Sequence, residues 1–130
     1  MVERVLLVED DELLGVLFEL ALIDAGYEVA RARSGMEALS KLGAEAPPVD
    51  AVVTDINLGD GPDGWQVARR ARAKSADLPV IYMTGGQVDD WKPQNVAAGV
   101  LMLKPFPVNE LVDRVGQALE AAPAKERLSA

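Results

Sequence analysis

Four short apolar runs, each closing on a different polar group, are the feature that most restricts how this chain can fold. Val5-Leu6-Leu7-Val8 runs into Glu9-Asp10-Asp11, and Ala51-Val52-Val53-Thr54 runs into Asp55. Val80-Ile81-Tyr82-Met83 ends at Thr84, and Val100-Leu101-Met102-Leu103 ends at Lys104-Pro105. Unbroken runs rich in Val and Leu read as strands buried on both faces, which requires helices above and below a parallel sheet. The polar ends of such strands converge on one crevice. Clustered carboxylates there repel one another, so they call for a divalent cation or raised pKa values. Oxygen-only ligands favour Mg2+, which is usually completed by a phosphate. The acidic strand ends therefore suggest metal-assisted phosphate chemistry.

Helical patterns lie between the runs. Leu13, Leu14, Leu17, Leu20 and Ala21 recur at helical spacing before Gly26. Tyr27-Glu28-Val29-Ala30 reads as a short second strand. Ser34 and Glu37 form a capping-box pair for a helix through Leu39 and Leu42, stopped at Gly43. Pro47-Pro48 precedes the strand that ends at Asp55. Asp63 and Gln66 form a second box, opening a helix through about Lys74. Pro93 interrupts 87–98, so a short or broken helix is expected there. Val108, Leu111, Val112, Val115 and Leu119 mark a final helix, with Pro107 suited to its first turn. The alternation predicts an α/β fold of five βα units, doubly wound, as one domain.

Bulk composition removes several kinds of chemistry. With no cysteine and no histidine among 130 residues, disulfides, thiol chemistry, thiolate zinc sites and imidazole bases are all excluded. A formal net charge of −8 argues against a nucleic-acid partner. No apolar stretch reaches membrane-spanning length, and no basic segment followed by an apolar core opens the chain. The expectation is a soluble cytoplasmic protein that does not engage membranes.

Taken one at a time, the polar strand ends have ordinary readings. Asp10 is as readily a helix N-cap, and for Asp11 the cap is the better reading. Glu9 alone is a loop acid, Asp55 and Thr84 are turn residues, and Lys104 is a surface lysine. Asp60 and Asp63, in a Gly- and Pro-rich loop, read as turn and cap residues. Trp65 reads as core packing, and Trp91 favours packing over a partner surface.

In their order and spacing, however, Glu9-Asp10, Asp55, Thr84 and Lys104-Pro105-Phe106 resemble the receiver domain of two-component response regulators along essentially the whole chain. The segments from Asp55 to Gly64-Trp65 and from Tyr82 to Gly86 further resemble stand-alone bacterial receivers. The resemblance implies a flavodoxin-like three-layer sandwich with a parallel sheet of order 2-1-3-4-5, occupying residues 1–122 ahead of a tail at 123–130. It implies that Asp55 is the phosphoacceptor, and that Glu9, Asp10, Asp55 and the backbone carbonyl of Asn57 hold Mg2+, Glu9 through water. It further implies that Lys104 stabilises transferring charge, that Thr84 binds a phosphoryl oxygen, and that Lys104–Pro105 is a cis peptide.

The implied partners are a sensor histidine kinase or phosphotransfer protein upstream and an unknown protein downstream, with the chain a monomer or weak dimer. Output in trans, by protein contacts, is expected. A phosphorelay intermediate, a phosphate sink and a degenerate receiver acting as a non-phosphorylated interaction module are the competing readings. A flavodoxin-like cofactor binder shares the topology but would want a Ser/Thr/Gly-rich phosphate loop where this chain has acids. Two departures stand out. Leu101 takes a position where receivers commonly carry an aromatic, so switching cannot use an aromatic rotamer there. The interval from Thr84 to Lys104 is compressed, and Asn57 and Gly86 occupy the variable positions beside the phosphoryl group.

Overall fold

In a computed structural model of the chain, residues 2–86 and 99–122 are described. Their elements alternate as the pattern requires: β1 (Arg4–Val8), α1 (Glu12–Asp24), β2 (Glu28–Ala32), α2 (Gly35–Lys41), β3 (Ala51–Asp55), α3 (Gly64–Lys74), β4 (Val80–Thr84), β5 (Val100–Leu103) and α4 (Val108–Glu120). All strand pairings are parallel, in the order β2-β1-β3-β4-β5. The doubly wound flavodoxin-like arrangement is therefore present. The interrupted helix expected at 87–98, Trp91 within it, and the tail at 123–130 lie outside the described residues.

Strand alternation divides the core in two. Val5, Leu7, Val53, Ile81 and Met83 pack with Phe18 and Leu22 of α1 and with Leu111, Val115 and Leu119 of α4. Leu6, Val8, Val52, Val80 and Tyr82 face the other way, onto Ala38 and Leu42 beside α2 and Trp65, Val67 and Ala68 of α3. A strand covered on both faces has no position for a polar side chain until it leaves the layers. This is why polarity is confined to the strand ends.

Local chemistry fixes the helix limits. Asp11 caps α1, its Oδ1 accepting the Leu14 N–H at 3.0 Å. At the other end the Tyr27 N–H donates to the Leu22 carbonyl and the Gly26 N–H to Ile23, a Schellman closure that places Gly26 at φ +102°. Asp63 and Gln66 form the full reciprocal box.

Two expectations need correction. Ser34 Oγ does accept the Glu37 N–H, but the Glu37 carboxylate takes the Arg33 N–H instead of returning to the cap, so only half of that box exists. The second strand begins at Glu28 and continues to Ala32, because the Schellman turn consumes Tyr27. On α1, the apolar spacing of Leu13, Leu17 and Leu20 identifies the helix but not its buried face. Leu13 and Leu20 are 69% and 59% exposed, whereas Gly15, Phe18 and Leu22 are buried. The helix is apolar nearly all round, and Gly15 faces the sheet because the Arg31 guanidinium runs beneath it; a Cβ there would lie 2.3 Å from Arg31 Nη2.

Candidate functional site

β1 and β3 are adjacent, yet their following helices lie on opposite faces of the sheet, so their carboxyl ends open a crevice at the topological switch point. β1 places Glu9 there: its N–H continues the ladder to the Ala32 carbonyl at 3.1 Å, and its side chain is fully buried. β3 places Asp55, 4% exposed, and the Ile56 N–H ties the strand end to Met83 of β4. Asp10, one residue beyond Glu9, is exposed. One carboxylate oxygen from each of Glu9, Asp10 and Asp55 lies within 4.8 Å of the others.

The opposite wall comes from β4 and β5. Thr84 ends β4 with 4% exposure, and its Oγ1 accepts the Gly86 N–H at 3.1 Å, which leaves the hydroxyl proton free to be donated. The Lys104 N–H donates to the Thr84 carbonyl at 2.8 Å, holding the next turn against β4. The Lys104–Pro105 peptide is cis. Phe106 then stacks on Phe18 of α1, with ring centroids 5.5 Å apart, anchoring the turn that carries the lysine. From there Lys104 Nζ reaches both Glu9 Oε1 and Asp55 Oδ1, each at 2.7 Å.

The electrostatics follow from burial. Asp55 is pushed up to about 8, first by desolvation and then by the neighbouring Glu9 carboxylate, against the pull of Lys104. Burial also opposes ionisation of Glu9. There, hydrogen bonds from Asp55, Lys104 and the Asp11 N–H prevail and hold it below its ordinary value. Lys104 is raised because its two carboxylates outweigh the burial that disfavours its charge. Two carboxylates thus share one ammonium, and one proton stays on Asp55 near neutrality. An oxygen-only donor set with surplus negative charge and one exposed member is chemically fit for a hard divalent cation such as Mg2+.

Glu9, Asp10, Asp55, Thr84 and Lys104 meet at this crevice, and Asn57 follows Asp55 by two residues at its edge. Asn57 is exposed in the loop after β3, and a Cβ built at Gly86 would stand 3.9 Å from its Nδ2 and 3.7 Å from Thr84 Oγ1. Any side chain at position 86 would therefore emerge over the site. Trp65 is buried beside it, its ring 4.7 Å from that of Tyr82. Leu101 pairs in register with Tyr82 and packs half-buried on the core under α3. Asp63 caps α3 and Asp60 is an exposed loop residue.

Sequence reasoning missed three contributors. Thr54 reads as one more strand residue, yet its buried hydroxyl donates to the Asp55 carbonyl at 2.9 Å. Gly64 and Gly35 read as ordinary helix starts. A Cβ would lie 2.1 Å from the Asp55 carbonyl oxygen at Gly64 and 1.9 Å from that of Pro62 at Gly35. The third is the exposed side of α1, where Leu13, Val16, Leu17, Leu20 and Ile23 form an apolar stripe. Its spacing is visible in the sequence, but which side of the helix is buried is not.

The family description "Response regulator receiver domain" matches residues 5–116. The chain is 38% identical over 117 residues to the "Uncharacterized transcriptional regulatory protein YrkP" of Bacillus subtilis, covering 88% of this chain and 48% of that protein. It is 34% identical over 126 residues to the "Transcriptional regulatory protein TrcR" of Mycobacterium tuberculosis, covering 95% and 48%. The chain thus spans about half the length of these curated relatives. Among solved structures, a response regulator receiver protein from Sinorhizobium medicae superposes with a TM-score of 0.88 at 38% identity, over 92% of this chain and 96% of that one. The non-phosphorylated HemR receiver domain of Leptospira biflexa gives 0.78 at 31%, over 93% and 97%. No helix among the described residues is long and apolar enough to cross a membrane. The strand order, the polar groups at the strand ends and these matches agree: the chain belongs to the response regulator receiver family of two-component signalling.

Proposed function

We propose that this receiver is a phosphoacceptor: Asp55 takes a phosphoryl group from the phosphohistidine of a sensor kinase or phosphotransfer protein, and the modified domain signals through protein contacts. The observation that carries the reading is the shared lysine. Lys104 Nζ stands 2.7 Å from both Glu9 and Asp55, with Asp10 alongside and the Thr84 hydroxyl on the next strand. A degenerate module would have no use for two buried carboxylates held against one ammonium, since burying them unneutralised is unfavourable.

In the transfer, an Asp55 carboxylate oxygen forms a bond to phosphorus as the bond from phosphorus to the donor imidazole nitrogen breaks. Bound Mg2+ would neutralise charge on the carboxylates and on the phosphoryl oxygens. Asp55, Asp10 and the Asn57 carbonyl are the ligands we assign to it, with Glu9 acting through water. Asp55 attacks as the carboxylate, so it must first give up its proton, a loss that a bound divalent cation would favour. Lys104 holds the two carboxylates in place and is poised against the phosphoryl oxygens as charge grows on them. Thr84, its oxygen occupied by the Gly86 N–H, donates its proton to a phosphoryl oxygen. This work is positioning and charge stabilisation, which needs no histidine on this chain.

The exposed stripe of α1 suits the donor. Leu13, Val16, Leu20 and Ile23 are spaced three, four and three residues apart, the seam that packs against another helix, and the stripe begins beside Asp10 and Asp11. We place the protein in the cytoplasm, where such a donor resides. The test is labelling by a small phosphodonor with and without Mg2+. Wild type takes label only with the metal, and Asp55→Asn takes none. Label on Asp55→Asn at the wild-type level would sink the proposal.

A further inference from the structure

We propose that Thr54 and Gly64 are positioning residues for Asp55, together fixing its main-chain carbonyl and so the direction in which its carboxylate enters the crevice. The inference rests on the phosphoacceptor reading above and concerns how that side chain is aimed.

The register of β3 with β1 ends at Thr54 opposite Val8, so Asp55 lies one residue past that ladder. The Ile56 N–H points to β4, where it donates to Met83. The carbonyl of the same trans peptide, that of Asp55, therefore points the other way, toward β1. There β1 ends at Val8, and the β1–β3 register has no pair beyond Val8 and Thr54. A buried carbonyl beyond its ladder needs another partner. Thr54 supplies one, its fully buried hydroxyl donating at 2.9 Å.

Gly64 packs against the same oxygen. It is the first residue of α3, and its N–H donates to the Ile56 carbonyl at 2.8 Å, drawing the helix start onto the strand end. Its φ is not left-handed, unlike those of Gly26, Gly59 and Gly61, so the backbone conformation does not demand glycine. Space does. A Cβ would stand 2.1 Å from the Asp55 oxygen, 2.9 Å from its carbonyl carbon and 2.8 Å from Ile56 Cα, all backbone atoms that cannot swing aside. Two unrelated residues, one from the strand and one from the helix, thus converge on a single atom of Asp55. Rotation of that peptide would swing the carboxylate away from Lys104 and Glu9, and Mg2+ tolerates little error in ligand placement. A misplacement of about 1 Å can lower a transfer rate by ~100-fold.

The full chain is assayed as wild type, Thr54→Val, Thr54→Ser and Gly64→Ala. Three quantities are read: the Mg2+ dissociation constant from tryptophan fluorescence, the first-order phosphorylation rate at saturating Mg2+ with a small phosphodonor, and Tm. Thr54→Val keeps the strand-compatible shape but loses the donor, and is expected to weaken Mg2+ binding and slow phosphorylation by about 10-fold each. Thr54→Ser restores the hydroxyl and both values to within about 2-fold of wild type, whatever its Tm. Gly64→Ala has the larger effect if it folds; if it does not, the threonine pair decides alone. Wild-type Mg2+ affinity and rate in Thr54→Val overturn the inference, as does equal impairment of Val and Ser, or a change confined to Tm. A wild-type chain that neither binds Mg2+ nor takes label removes the phosphoacceptor reading itself, an outcome distinct from these.

Discussion

At the amino end of the sheet Arg4 is bracketed by acids, its guanidinium paired with Glu28 and its N–H donating to Asp50 Oδ2 at 2.8 Å. At the carboxyl end Lys104 is also bracketed by acids, Glu9 and Asp55, each at 2.7 Å. The difference lies in the solvent. The Glu28 side chain is 57% exposed, so water screens the first pair, whereas the Glu9 and Asp55 side chains are 1% and 6% exposed. Like geometry therefore does unlike work. The outer pair tidies a surface, and the inner set holds more carboxylates than its one ammonium can neutralise, so it keeps a proton that a cation can replace.

The sharpest way to break that contrast is to discharge the exposed member of the inner set. Asp10 is solvent-facing and does not cap α1, so Asp10→Asn should leave Tm nearly unchanged. It should nevertheless weaken Mg2+ binding by about 10- to 100-fold, a loss of roughly 1.4 to 2.7 kcal/mol. A Mg2+ titration followed by tryptophan fluorescence reads this directly. An unchanged constant would remove Asp10 from the metal site.

Stored charge also makes stability depend on pH. The Asp55 carboxyl titrates at about 8 in the folded chain against 3.8 as a free side chain. Between those values the folded state binds the extra proton, so metal-free stability falls as pH rises across the window. Glu9, lowered from 4.5, contributes the opposite slope only below that value, and Lys104, raised from 10.5, acts only above the window. Asp55→Asn should therefore match wild type in Tm only at about pH 4 and below, and exceed it by at least about 5 °C at pH 8. Saturating Mg2+ should close the gap, releasing a proton as it binds. A gap that stays constant with pH would show that burial does not hold the proton on Asp55.

How much of this was written in the sequence depends on the range of the forces involved. Asp11, Gly26 and the Asp63–Gln66 pair could be read because caps are made within four residues. The strand ends could be read because a doubly covered strand admits polarity nowhere else, and parallel topology brings those ends together. The buried face of α1 could not, because Leu13, Leu17 and Leu20 are as apolar as Phe18 and Leu22. The inward side is set by what lies beneath it in space, such as Arg31 of β2 under Gly15, sixteen residues away in sequence. Thr54 and Gly64 were opaque for the same reason: their importance lies in proximity to one carbonyl, and composition does not encode proximity. Ser34 and Glu37 showed the reverse failure, a local motif half taken over by the Arg33 N–H.

Position 86 refines the comparison at smaller scale, since it alters what surrounds the phosphoryl group and not the charge beneath it. Gly86 presents no side chain to attacking water, whereas a side chain there would rise past Thr84 and Asn57. Gly86→Glu should speed loss of phosphate from Asp55 by several-fold, under about 1 kcal/mol in barrier, with Mg2+ affinity little changed. Equal or slower loss in the variant would overturn the assignment.

The smallest effect belongs to the amino end, and it is the control that gives the others meaning. Glu28→Gln removes the carboxylate from Arg4 but leaves Asp50 bonded to the Arg4 N–H, and Glu28 itself lies on edge strand β2, open to solvent. Exposed pairs contribute about 0 to 1 kcal/mol, and salt screens what remains. Chemical denaturation should therefore place the variant within about 0.5 kcal/mol of wild type, with the difference shrinking further in high salt. Its Mg2+ constant should not move, because the whole length of β1 separates Arg4 from Glu9. A large loss of stability, or a Mg2+ constant that shifts with Glu28, would mean that the two ends are coupled and that burial alone does not distinguish them.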